Sequence, residues 1–313
     1  MAYPIEDKLV VAVSSTALFD LTKEHELFLS KGLEAFRVHQ RENKNNPCSP
    51  GVAFPFVERI LHLNKIFDET KPVEVVILSR NHPDAGMRVL ESVQYYGLEI
   101  SRCAFTSGVP PYEYMKSFNS VLYLSTDSQE VKTAVDMGYP AGHVLPCQTV
   151  YDPGKDTEEG LTIAFDFDGI IVDDEAEKHY AEAGLDLFHH MEKRHRERPL
   201  NSGPLLPLIK KISDLQKIEK AEKENRNSND KYVKVAILTA RNMPAHERIL
   251  TTLNNYGIDV DQLLLTGGIQ KKRFLDVLKP HIFFDDQIQH LEDAAAETPC
   301  VHVPFGVRNQ TNR

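Results

Sequence analysis

Asp166 and Asp168 stand two residues apart in Ile163-Ala164-Phe165-Asp166-Phe167-Asp168-Gly169-Ile170-Ile171-Val172, where an apolar run meets a glycine. If the run is a buried strand, its period of two aims both carboxylates the same way, roughly 6–7 Å apart, at the strand's carboxyl end. Open α/β sheets place their ligands there. Two such carboxylates repel unless a cation or a shared proton offsets them, so the pair suggests a metal site with an acid/base beside it. Taken alone, an Asp-x-Asp-Gly turn is more often a solvated cap.

Three further strand ends in the same half carry reactive groups: Thr239, Lys271 near a helix start, and Asp285 with Asp286. Neighbouring parallel strands would bring them to one crest. Together they supply what phosphate-monoester hydrolysis requires: a carboxylate nucleophile, a second carboxylate as acid/base, a hydroxyl and an ammonium for the phosphoryl oxygens, and acidic ligands for magnesium. Singly, Thr239 reads as a strand-end cap, Lys271 as a solvated lysine and Asp285-Asp286 as an N-cap pair. Their occurrence together and in order outweighs those readings. His189, His190 and His195 lie in a charged helical stretch and read as surface residues.

The elements that must position these groups are written twice. Setting Pro47 on Pro199, an offset of 152, lays Ser49-Pro50-Gly51 through Ile60 over Asn201-Ser202-Gly203 through Ile212, and Leu9 through Ser14 over Leu161 through Asp166. From Val73 the offset becomes 160, with Val75-Val76-Ile77-Leu78-Ser79 on Val235-Ala236-Ile237-Leu238-Thr239 and Tyr96-Gly97 on Tyr256-Gly257. Each copy reads as strand, helical insert, strand, helix, strand, and alternating strands and helices imply a parallel sheet covered on both faces. The expected fold is α/β, two tandem Rossmann-like units from an internal duplication. A degenerate copy over 1–150 precedes a catalytic domain over 151–313, and an insert over about 173–231 forms a small helical cap. In the first copy Ser14, Thr16, Ser79, Pro111, Ser125 and Thr126 replace Asp166, Asp168, Thr239, Lys271, Asp285 and Asp286. A serine neither binds magnesium strongly nor forms an acyl-phosphate, so this half is expected to be catalytically dead.

The 313 residues suffice for two ordinary domains, and a 41% hydrophobic, 26% charged composition is globular. A net charge of −10 disfavours a nucleic-acid partner, and no apolar stretch approaches a membrane span. Cys48, Cys103, Cys147 and Cys300 are too scattered for a zinc or disulfide framework. The first residues lack the features of a secretory signal, which together with the rest predicts a soluble cytoplasmic protein.

The motif set Asp166-Phe167-Asp168-Gly169, Leu238-Thr239-Ala240-Arg241, Lys271 and Asp285-Asp286 resembles the haloacid dehalogenase superfamily of phosphohydrolases. Nearly the whole chain is similar to the cytosolic 5′-nucleotidases of type I, the AMP-preferring group. This rests on Ala12 through Phe19, Ser49 through Val57, Pro280-His281-Ile282-Phe283-Phe284-Asp285-Asp286-Gln287 and His302 through Val307. Phe167 departs from the glycine of that pattern. The resemblance implies Asp166 as nucleophile, Asp168 as acid/base, and Thr239, the Ala240 N–H and Lys271 as phosphate ligands. It implies Mg²⁺ held by Asp166, the Asp168 backbone carbonyl, Asp285 and Asp286. The substrate would be a nucleoside monophosphate, with Ser202, Gly203, Asn81 and Phe54 as candidate contacts; a nucleotide effector and homo-oligomeric assembly stay open. So do two other functions: a phosphatase acting on another small phosphomonoester, and a non-catalytic nucleotide sensor.

Overall fold

The computed structural model describes residues 3–147, 151, 153, 160–226 and 231–309. They fall into two compact units, Met1–Glu130 with Val150–Glu159, and Val131–Thr149 with Gly160–Arg313.

In the first unit β1 (Leu9–Val13) runs into the short α1 (Ser15–Leu18) and β2 (Phe19–Asp20). The kinked helix α2 (Thr22–Glu42), β3 (Ser49–Pro50), α3 (Phe54–Ile66), β4 (Val73–Ser79), α4 (Pro83–Tyr95), β5 (Arg102–Phe105) and β6 (Leu122–Ser125) follow. The sheet order is β5-β4-β1-β6, all parallel. Every residue of β1 and β4 is buried, as a parallel sheet covered on both faces demands.

After α5 (Ser128–Asp136), the second unit contains β7 (Ala141–Val144), β8 (Leu161–Phe165), α6 (Glu175–Arg194), α7 (Leu206–Arg226), β9 (Val233–Thr239) and α8 (His246–Tyr256). It ends with β10 (Gln262–Leu265), α9 (Lys272–Leu278), β11 (Ile282–Asp285), α10 (Ile288–Glu292) and β12 (Cys300–His302). Its sheet runs β10-β9-β8-β11-β12-β7, parallel except for β7, which pairs antiparallel with β12. That pairing groups Val131–Thr149, expected in the first domain, with the second unit. The four strands β10-β9-β8-β11 have the order of β5-β4-β1-β6.

The likeness extends to single hydrogen bonds. Arg88 on α4 donates from Nε to Asn46 O at 2.8 Å and from Nη1 to Gln40 Oε1 at 3.3 Å. Arg248 on α8 donates to Arg198 O at 3.0 Å and Glu192 Oε1 at 2.8 Å. Ser92 receives Cys48 N and donates to Arg88 O, and Thr252 does the same with Leu200 N and Arg248 O. Tyr96 donates to Cys48 O at 2.9 Å, Tyr256 to Leu200 O at 2.8 Å. The helix residues differ by 160 in number and their partners by 152, the same two offsets read from the sequence.

The 173–231 stretch is not one cap. Leu208, Ile209, Ile212 and Leu215 of α7 are buried, and Gln216 Nε2 donates to Val233 O of β9 at 3.4 Å. So α7 covers the sheet, and only α6 with the turn after it stands near the strand ends.

Candidate active site

The strand β8 stops at Phe165, one residue short of the first aspartate. Asp166 still continues the ladder, its N–H donating to Phe284 O at 2.8 Å. Gly169 takes φ +72°, a left-handed turn, and a Cβ there would lie 2.7 Å from Asp286 Cγ. The two carboxylates meet different cations, Asp166 the ammonium of Lys271 and Asp168 the guanidinium of Arg241.

Asp166 Oδ1 accepts from the Phe167 N–H at 2.7 Å, and Oδ2 lies 2.8 Å from Lys271 Nζ. The same ammonium lies 2.7 Å from Asp285 Oδ2 at the end of β11. Lys271 N-caps α9 and is 4% exposed, whereas Lys272, on the outside, pairs with Asp276 and Glu297. Burial pushes the Asp166 carboxyl up to about 7; Lys271 opposes the rise, while Asp285 and Asp168 add to it. Asp285 is held below the usual carboxylate range by Lys271 and His290, against the effect of its burial. His290 Nδ1 sits 3.2 Å from Asp285 Oδ2.

Asp168 faces Arg241, which donates from Nε to Oδ2 at 2.7 Å and from Nη2 to Oδ1 at 2.8 Å, a two-bond fork. Thr239, ending β9, is buried and its Oγ1 accepts from the Arg241 N–H at 3.2 Å. Asp286 is fully buried, and its backbone carbonyl accepts from Asn309 Nδ2 at 2.8 Å. Ala240 lies between Thr239 and Arg241. Asp166, Asp168, Thr239, Lys271, Asp285 and Asp286 all follow from strands β8, β9 and β11 or the start of α9.

Asp166, Asp285 and His290 each offer an atom within 4.8 Å of the others. The buried carboxylates Asp166 and Asp285 stand there with the buried ammonium of Lys271, and the buried Asp286 carboxylate lies against Gly169. Excess negative charge on hard oxygen donors fits a divalent cation such as Mg²⁺. The Asp168 carboxylate, turned to Arg241, is not part of that set.

The remaining candidates fall elsewhere. Phe54 is fully buried, its ring 5.0 Å from Tyr96 and 5.9 Å from Tyr151 between centroids, so it serves the first unit's core and has no face for a ligand. Asn81, also in the first unit, donates to Ser15 Oγ at 3.2 Å. Ser202 is exposed and bridges Val172. Gly203 donates its N–H to Ile171 O at 2.9 Å, and a Cβ would collide with the carbonyls of Val172 and Ile170. Its job is close packing of the 199–204 turn on the segment after Asp168. His189 is half-buried, its Nε2 2.7 Å from Asn242 Oδ1, while His190 is exposed. In the first unit, Ser14 caps α1, Thr16 bonds Thr126 at 2.8 Å, and Ser15 bonds Ser79 at 2.8 Å.

Arg241 and Glu192, whose carboxylate accepts from Arg241 Nη1, were not singled out by sequence. Glu192 lies 49 residues from Arg241 with no local signature; the one available signal was that both are charged where the first copy has Gln40 and Asn81.

The 5′-nucleotidase family model matches residues 1–310, and the chain belongs to that family. Human cytosolic 5′-nucleotidase 1B is 32% identical over 298 residues, 92% of this chain and 47% of that protein, so the chain spans about half the length of this relative. A solved structure of the Pnkp1/Rnl/Hen1 complex covers 95% of this chain and 96% of its own, at 18% identity and a TM-score of 0.29, too distant for inference. Among the described residues no helix is long and apolar enough to cross a membrane.

Proposed function

We propose that the chain hydrolyses nucleoside 5′-monophosphates, AMP by preference, in a Mg²⁺-dependent reaction through an aspartyl-phosphate on Asp166. The observation that carries the reading is the buried Asp166–Lys271–Asp285 cluster, which pairs a carboxylate at a strand end with a fixed ammonium. Asp166 would attack phosphorus in line as the P–O bond to the ribose breaks. Lys271 and the Thr239 hydroxyl would hold phosphoryl oxygens, with the Ala240 N–H beside them. Asp168 would give its proton to the departing ribose oxygen and then take one from the water that displaces Asp166. Arg241 uses one lone pair on each Asp168 oxygen, which leaves another for that proton. Asp166, Asp285, Asp286 and the Asp168 carbonyl would hold Mg²⁺, which supplies positive charge to the phosphoryl group.

The repeated Arg88 and Arg248 clamps support an internal duplication, with the hydroxyl-lined first copy non-catalytic. The protein would be cytoplasmic. The test is phosphate release from a panel of nucleoside and sugar phosphates, with and without EDTA. Asp166→Asn and Asp168→Asn should each abolish release while the protein stays folded. Wild-type turnover by either variant overturns the mechanism; a sugar phosphate preferred over every nucleotide overturns the substrate.

A further inference from the structure

Arg241 is fixed more firmly than a strand-end loop requires. Its side chain is 3% exposed, forked onto Asp168, bonded to Glu192, and set 5.3 Å from the Phe167 ring centroid and 5.6 Å from that of Phe188. Glu192, on α6 and itself buried, takes its other oxygen to Arg248. Charges alternate along this buried line: Asp168, Arg241, Glu192, Arg248. Each inner member has a partner on both sides, the condition under which buried charges persist.

The first unit shows which part of the line is scaffold. Arg88 makes the bonds of Arg248, so that arginine belongs to the architecture of both units. At the other three positions the first unit has Thr16, Asn81 and Gln40 where the second has Asp168, Arg241 and Glu192. All three charges are present where the carboxylate pair is present, and all three are neutral where it is not. Arg88 keeps its place in the first unit without any of the three charges, so holding that arginine does not require a counterpart of the Asp168–Arg241–Glu192 line.

We infer that Arg241 is a positioning residue for Asp168 and that Glu192 holds it in place, so that α6 sets the direction of the acid/base carboxylate. This rests on the proposed role of Asp168. The guanidinium is planar and forked, and a lysine ammonium cannot reproduce the two bonds. Phe167, where the related pattern has glycine, forms one wall of the guanidinium site.

The experiment compares wild type, Arg241→Lys, Glu192→Gln, the double variant and Asp166→Asn in the full chain, by steady-state phosphate release and thermal unfolding. Glu192→Gln should fold, because Gln40 occupies the matching place beside Arg88. Each single variant should lower kcat, Arg241→Lys by about 10–100-fold, with KM held within about twofold. The double variant should be no slower than the worse single one, since both act by one route. Either single variant with wild-type kcat, effects that multiply, or a KM rising in step with the fall in kcat would overturn the inference while an inactive Asp166→Asn leaves the reaction assignment standing. An active Asp166→Asn would bring down both.

Discussion

Replacing Lys271 by methionine removes a buried charge while keeping much of its volume. At an effective dielectric of about 20, a contact at 2.8 Å is worth roughly 6 kcal/mol of attraction. The ammonium's own desolvation offsets much of this, and breaking a buried pair costs about 3–5 kcal/mol. The pH decides where in that range the loss falls. Asp166, already pushed up to about 7 with the ammonium present, can take a proton cheaply at neutral pH, so the loss there should be about 3 kcal/mol. Each pH unit above that makes holding the proton costlier by about 1.4 kcal/mol, until the upper end is reached. In melting temperature, about 3 kcal/mol is a fall of about 6–12 °C. A protonated Asp166 is no nucleophile, so kcat should drop by at least about 100-fold. Thermal unfolding at two pH values, paired with phosphate release, measures both effects. Lys272→Met, on a half-buried side chain whose ion pairs lie at the surface, is the control and should leave both nearly unchanged. A Lys271→Met protein that melts within about 2 °C of wild type and turns over normally would refute the electrostatic account.

Gly203→Ala should destabilise by at least about 2 kcal/mol through collision with the Val172 and Ile170 carbonyls, whereas Ser202→Ala should not; an unchanged melting temperature with a raised KM would instead make Gly203 a substrate contact. In EDTA, the folded protein should hold a proton on Asp166 that the unfolded chain has released between about pH 4 and 7. Its stability relative to Asp166→Asn should therefore fall as pH rises through that window, by up to about 1.4 kcal/mol per unit. The Asp166→Asn reference is needed because burial lowers the His302 pKa, which makes stability fall in the opposite direction, as acid charges the unfolded chain. A difference that is flat or rises with pH would contradict the burial of Asp166.

The strands were legible because β-branched runs end at turn formers: Val235 to Leu238 lies inside β9, and Ile282 to Phe284 inside β11. Lys271, not Lys272, meets Asp166 and Asp285. The two offsets, read from identities such as Tyr96-Gly97, recur in hydrogen bonds that no sequence pattern announces. What escaped was set by turns and by distant partners. The spacing of Asp166 and Asp168 did not disclose that each meets its own cation, because Lys271 and Arg241 come from distant segments. Phe54 and Gly203 looked like ligand contacts because aromatic and glycine-rich turns often are, but their neighbours in space give them packing roles. The partnership of Arg241 with Glu192 depends on α6 lying against the β9 loop, which a local reading does not contain.

The Arg248 clamp bears on how anything gets in. Its bonds to Glu192 and Arg198, together with that from Tyr256 to Leu200, rivet the far end of α6 and the following turn to α8 at several points. Moving α6 away from the proposed site would have to break each of those bonds.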